Sequence, residues 1–106
     1  MPNPKTLYCA GLYFSEDRQN IALIRKNRPD WQKGRLNAVG GRVEEYESVY
    51  EAMAREFKEE TGRKVTNWRY FCTLTGINYQ VQFLVGFGDL FKLKSPTDEE
   101  VTSKPE

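Results

Sequence analysis

A chain of 106 residues can bury one modest core, which sets the expectation of a single domain over residues 1–106 with one site. Sixteen Lys and Arg nearly cancel fifteen Asp and Glu, so no global field would hold the protein on nucleic acid or an anionic membrane. The absence of histidine excludes imidazole-based triads and the usual zinc sites, leaving carboxylates, lysines, tyrosines or a hard metal ion for any catalysis.

The N-terminal MPNPKTLYCAGLYF lacks an apolar run long enough for a signal sequence, and no later stretch approaches bilayer length. The expectation is a soluble, cytoplasmic protein without a membrane partner. Thr6 to Phe14 is rich in β-branched and aromatic residues and reads as a strand; polar Ser15 to Asn20 is a turn, and Ile21 to Ile24 a second strand. Arg25 to Arg35 turns basic and carries Pro29 and Gly34, as a loop does, before short Leu36 to Val39 leads into a Gly40-Gly41 turn. Glu44 to Gly62 has no proline and no internal glycine, opens with acids, and ends before Arg63 and Lys64. A helix is therefore predicted over Ser48 to Thr61. Trp68 to Thr75 and Tyr79 to Phe87 read as strands separated by Gly76-Ile77-Asn78, and Leu90 to Leu93 as another short one. The polar tail SPTDEEVTSKPE reads as poorly ordered. Cys9 and Cys72 lie in apolar strands, where buried, reduced thiols are expected. Strands around one central helix, without regular alternation, indicate a mixed α/β or α+β sandwich.

On the helix, Val49, Met53, Phe57, Tyr50 and Ala54 fall along one stripe that should face the core, with Glu51, Arg55 and Lys58 opposite, toward water. Glu56, Glu59 and Glu60 belong to neither group, and Glu60 is carried to the apolar boundary. Their i,i+3 and i,i+4 spacing crowds three like charges, which repel by roughly a few tenths of a kcal/mol per pair even in water. Crowded carboxylates call for cations, and oxygen ligands without histidine favour Mg²⁺ or Mn²⁺ over zinc. A solvated acidic face with pairs such as Arg55 to Glu59 is the other reading of the same residues.

From the glycine pair onward, GGRVEEYESVYEAMAREFKEETG (Gly40 to Gly62) resembles the Nudix box: a glycine, five residues, a glutamate, seven residues, then Arg-Glu-aliphatic-any-Glu-Glu-any-Gly. Within 41–62 those places are taken by Gly41, Glu47, Arg55, Glu56, Phe57, Glu59, Glu60 and Gly62. The resemblance implies an α+β Nudix-like sandwich, a mixed sheet with the catalytic loop-helix-loop packed on it. It implies that the Gly40 carbonyl with Glu56, Glu59 and Glu60 holds Mg²⁺ on a diphosphate, with Gly41 beside the substrate and Arg55 steadying Glu47 or Glu59. Glu56 is the favoured base, with Glu59 or a late acid among Asp98, Glu99 and Glu100 as competitors. Arg25 and Lys26 match family positions that look like phosphate contacts. Two departures stand out: Arg63 occupies a place usually aliphatic, and no second, C-terminal helix is evident, so the fold reads as a shortened form.

The box handles the diphosphate and leaves the rest of the substrate to other loops. A nucleoside triphosphate yielding monophosphate and pyrophosphate is the first expectation, and nucleotide sugars such as ADP-ribose the next. A nucleotide-binding module without turnover would be expected to lose motif acids, and here all are present. An RNA-end hydrolase would call for a wider basic surface than this near-neutral chain offers, so a nucleic acid partner is not expected. A homodimer is compatible with the sequence.

Overall fold

The computed structural model describes residues 5–25, 36–90 and 100–105. Strand β1 (Thr6–Ser15) is the axis of the sheet, and its alternation places Cys9, Gly11 and Tyr13 on the buried face. A polar turn carries it into β2 (Asn20–Arg25), paired antiparallel at Phe14↔Ile21. In that turn the Ser15 hydroxyl donates to Asp17, whose carboxylate also accepts the Gln19 N–H at 3.0 Å, while Arg18 takes a positive φ of 62°.

Beyond β2, β3 (Leu36–Asn37) pairs with it and β4 (Val39–Arg42) returns antiparallel to β1, from Gly11↔Val39 to Tyr8↔Arg42. Helix α1 (Val49–Thr61) follows, then β5 (Arg69–Thr75), β6 (Tyr79–Gly88) and β7 (Glu100–Pro105). The sheet runs β3-β2-β1-β6-β5, with β4 also on β1 and β7 on β2. β1 and β6 are parallel over ten positions, Thr6↔Tyr79 to Ser15↔Gly88. The other strand pairs are antiparallel among the described residues, so the sheet is mixed and the fold α+β.

Ser48 starts α1 as a reciprocal cap. Its hydroxyl accepts the Glu51 N–H at 3.1 Å, and the Glu51 carboxylate accepts the Ser48 N–H at 2.8 Å. Gly62 ends the helix at φ 79°, a left-handed conformation that costs glycine little, and its N–H donates to the Lys58 carbonyl. The helix lies on β1 and β4, where Met53 and Phe57 join Cys9, Tyr13, Ala22, Val39, Leu84 and Trp68 in the core. Tyr13, Phe57 and Trp68 form a triangle of rings with centroids 4.7, 5.2 and 5.6 Å apart. The Trp68 indole N–H donates to the Val65 carbonyl at 3.1 Å, so the polar edge of the buried ring is satisfied inside.

The structure corrects five sequence expectations. Gly40 and Gly41 lie inside β4, because backbone pairing with Ala10 and Cys9 continues through them. The core stripe of α1 is turned so that Ala52 is buried and Tyr50 is 48% exposed, since the helix packs by its Ala52-Met53 edge. Arg55 is drawn from the solvent side into carboxylate contacts described below. Cys72 is exposed, because every residue of β5 is exposed. Glu100–Pro105 of the polar tail forms β7, whose backbone extends the sheet from β2. The loop from Lys26 to Arg35 and most of Leu90 to Leu93 fall outside the described residues. Among those described, α1 is the one helix, and no helix is long and apolar enough to cross a membrane.

Candidate active site

The acidic side chains meet where β4 runs under α1. Gly41 is small here for lack of room, not for positive φ, since among described glycines only Gly62 has that. A Cβ on Gly41 would stand 2.5–2.7 Å from the Glu56 carboxyl atoms, so Glu56 rests directly on the strand backbone. Next to it, the Gly40 N–H donates to Glu60 Oε2 at 3.1 Å. Glu60, 8% exposed, is thus tied to β4, and the boundary position expected of it is borne out.

Arg55 organises the remaining acids. Its Nε and Nη2 donate to Glu47 Oε2 and Oε1 at 3.1 and 2.6 Å, a two-point fork. Nη2 also reaches the Arg42 carbonyl at 2.9 Å, fixing the guanidinium to the end of β4. Nη1 donates to Glu56 Oε1 at 2.8 Å and to Glu59 Oε1 at 3.5 Å. Sequence reasoning foresaw the Glu47 and Glu59 pairings. It missed the Glu56 bond, which i,i+1 spacing does not suggest, and the Arg42 carbonyl, which carries no side-chain signal.

These contacts set the charges. Burial pushes the Glu56 carboxyl above its ordinary value, an effect the Arg55 hydrogen bond partly offsets and the nearby Glu59 and Glu47 charges reinforce. The Arg55 hydrogen bond holds Glu47 below its ordinary value, and that same bond keeps Arg55 more firmly protonated. Burial pushes the Cys9 thiol up to about 11, so it is no nucleophile at neutral pH. The site therefore holds a half-buried carboxylate of raised pKa beside an exposed one, Glu59, with a clamped guanidinium between them.

Among the described residues no three Asp, Glu or Cys side chains converge into a ready-made metal cage. The donor chemistry still fits a hard divalent ion. Glu56 and Glu59 each place an oxygen on Arg55 Nη1, so positive charge already sits between them. The Arg25 backbone closes β2, opposite Leu36 and Glu100. The Arg25 side chain, Lys26, Asp98 and Glu99 lie outside the described residues.

A mixed sheet carrying one capped helix, with Glu56 and Glu60 turned onto a glycine strand, defines a class of α+β fold. Residues 5–101 match the family model described as NUDIX domain. The chain belongs to that family of hydrolases. It is 39% identical over 54 residues to the NAD-capped RNA hydrolase NudC of Vibrio vulnificus (strain CMCP6), a match covering 51% of this chain and 21% of that protein. The chain thus spans about a fifth of the length of that curated relative. It is similar in structure to MutT of Aliivibrio salmonicida and Vibrio cholerae, with TM-score 0.83, 26% identity, and 95% of this chain and 80% of that chain covered. A MutT/nudix family protein of Enterococcus faecalis gives TM-score 0.86 at 20% identity, covering 99% of this chain and 45% of that one. A MutT NUDIX hydrolase of Burkholderia pseudomallei gives 0.80 at 19%, covering 95% and 83%; these last two bear on the fold alone.

Proposed function

We propose that the chain hydrolyses a phosphoanhydride bond in a nucleoside diphosphate linked to another group, with the helix carboxylates as its chemical machinery. The observation that carries this reading is Arg55, which forks onto Glu47 and with its remaining nitrogen holds Glu56, half-buried, against Gly41. Glu56 and Glu59 would bind Mg²⁺ or Mn²⁺, with Glu60 and the Gly40 carbonyl completing the set. The ion would supply neutralisation of the phosphoryl oxygens. Glu56 would remove the proton from the attacking water, its carboxyl being oriented by Arg55 Nη1 against the β4 backbone. Arg55 orients Glu56 and keeps Glu47 and Glu59 from repelling it. Arg25 and Lys26 are proposed phosphate contacts, and Gly41, whose missing side chain lets the Glu56 carboxyl rest on β4, is proposed to lie beside the substrate.

The leading substrate is a nucleoside triphosphate, cleaved to monophosphate and pyrophosphate. A dinucleotide pyrophosphate or NAD-capped RNA end is the second reading, favoured by the name of the Vibrio vulnificus relative. A panel of nucleoside triphosphates, dinucleotides and nucleotide sugars, assayed with Mg²⁺ and with products identified, tests both. Turnover undiminished in excess EDTA would defeat the metal-dependent reading. Pyrophosphate release from triphosphates alone supports the first substrate, and two mononucleotides from NAD-type dinucleotides the second.

A further inference from the structure

β1 and β6 are parallel, and their carboxyl ends open together beyond Tyr13 and Phe87. The segment leaving α1, Arg63 to Asn67, lines the other side, and between them lies a cavity of about 960 Å³. That volume suits a small-molecule ligand, and the crevice at the carboxyl ends of parallel strands is where open sheets commonly hold one. None of the lining residues belongs to the acidic site: Gly40, Gly41, Glu47, Arg55, Glu56, Glu59 and Glu60 are all absent from it.

The lining has a specific chemistry. Arg63 and Lys64 bring two cations to it. Arg63 stands where the box usually has an aliphatic residue, and its Nε is buried without a hydrogen-bond partner. A buried guanidinium N–H left unsatisfied costs free energy, and Arg63 is one of the residues that line the cavity. The guanidinium also lies beside the Tyr13 hydroxyl. A smaller recess of about 400 Å³ shares Asn67 and Phe87 with this cavity and adds Arg18 and Arg69 to the same rim.

Acids are present too. Asp17 is committed to its own turn by Ser15 and Gln19, whereas Glu16 lines the cavity near Tyr13. A ligand that suits both signs carries an anionic group for Arg63 and a hydroxyl donor for Glu16. Phe87, 37% exposed, adds an apolar wall.

We propose that this cleft is a second ligand site, distinct from the carboxylate helix, taking a phosphorylated, hydroxyl-bearing small molecule of the nucleoside monophosphate class with Arg63 on its phosphate.

The test is titration of the full chain with AMP and, separately, inorganic phosphate in EDTA, followed by backbone amide NMR. AMP should shift the Tyr13, Arg63, Asn67 and Phe87 amides, and phosphate the same amides more weakly. Arg63→Leu restores an aliphatic residue at an aliphatic place, so the variant should keep its fold, checked by thermal unfolding. It should weaken AMP binding about 10- to 100-fold, as expected for loss of one charge-assisted anchor. The Glu56→Gln, Glu59→Gln double variant should leave that binding unchanged. Shifts confined to Gly40, Gly41 and the α1 glutamates, AMP affinity unaltered by Arg63→Leu, or phosphate binding as tightly as AMP would each overturn the proposal.

Discussion

Replacing Arg55 by alanine should unfold the protein at a markedly lower temperature as well as slow it. The guanidinium makes a two-point fork to Glu47, a 2.8 Å bond to Glu56 and a 2.9 Å bond to the Arg42 carbonyl. Bonds to charged groups contribute about 1.5–3 kcal/mol each when their partners stay buried. The Glu47 side chain is 7% exposed and that of Glu56 15%, so both would be stranded, but Arg55 itself is 29% exposed and solvent screens part of the effect. The net loss worked from these contacts is about 3 kcal/mol. For a domain near this size that lowers Tm by roughly 12–24 °C. Thermal and urea unfolding followed by circular dichroism measure it. Arg55→Lys keeps the charge without the fork and should recover less than half. A Tm drop under about 4 °C for Arg55→Ala would refute the assignment of Arg55 as the organiser of the acids.

Further outcomes follow from the same geometry. Glu56→Gln should lower kcat by roughly 10²–10⁴-fold with little change in substrate affinity, whereas Glu59→Gln should be partly rescued by high Mg²⁺; the opposite pattern in steady-state kinetics exchanges the two roles. Because Glu56 must be ionised to act, the rate should fall as pH drops through its pKa in the metal-loaded enzyme, and Glu56→Gln should remove that limb of the pH-rate profile. A raised carboxyl contributes stability that is present below the unfolded glutamate pKa and is lost as pH rises through the folded value. Glu56→Gln should therefore raise Tm in EDTA at neutral pH but not near pH 4, by calorimetry. Gly41→Ala should displace the Glu56 carboxyl, cutting kcat by about tenfold or more while the far-ultraviolet spectrum stays native.

The elements that carry strong local signals were legible in the sequence. The helix from Ser48 was set by the absence of breakers and by Gly62, and the Ser48-Glu51 box that caps it could have been read from the same letters. The hairpin of β1 and β2 and the strand pair around Gly76 were marked by turn residues. What the sequence does not carry is partner choice. Glycines at 40 and 41 look alike in a turn and in a crowded strand, and only the approach of Cys9 and Glu56 shows why side chains are excluded. Likewise Glu100–Pro105 has no apolar periodicity; backbone pairing with β2 is what makes it a strand. Tyr50 and Ala52 exchanged places because helical periodicity gives a stripe's width but not its rotation against a particular sheet. The Glu60 position was predicted because a charge set between Val49 and Met53 is a local contradiction that the tertiary structure resolves with the Gly40 amide.

The parallel join of β1 to β6 governs when the site can exist at all. Thr6 pairs with Tyr79 and Ser15 with Gly88, so the first strand of the chain waits for one of the last before the middle of the sheet closes. Everything that holds the glutamates, from β4 through α1, lies in the span that this closure encloses. Such non-local pairing is slow to form because chain entropy is lost before contacts compensate for it. During synthesis the acidic helix emerges well ahead of β6 and has only β1 and β4 to rest on. Metal affinity and turnover should thus be acquired late and together, as a single kinetic event set by arrival of the residues up to Gly88.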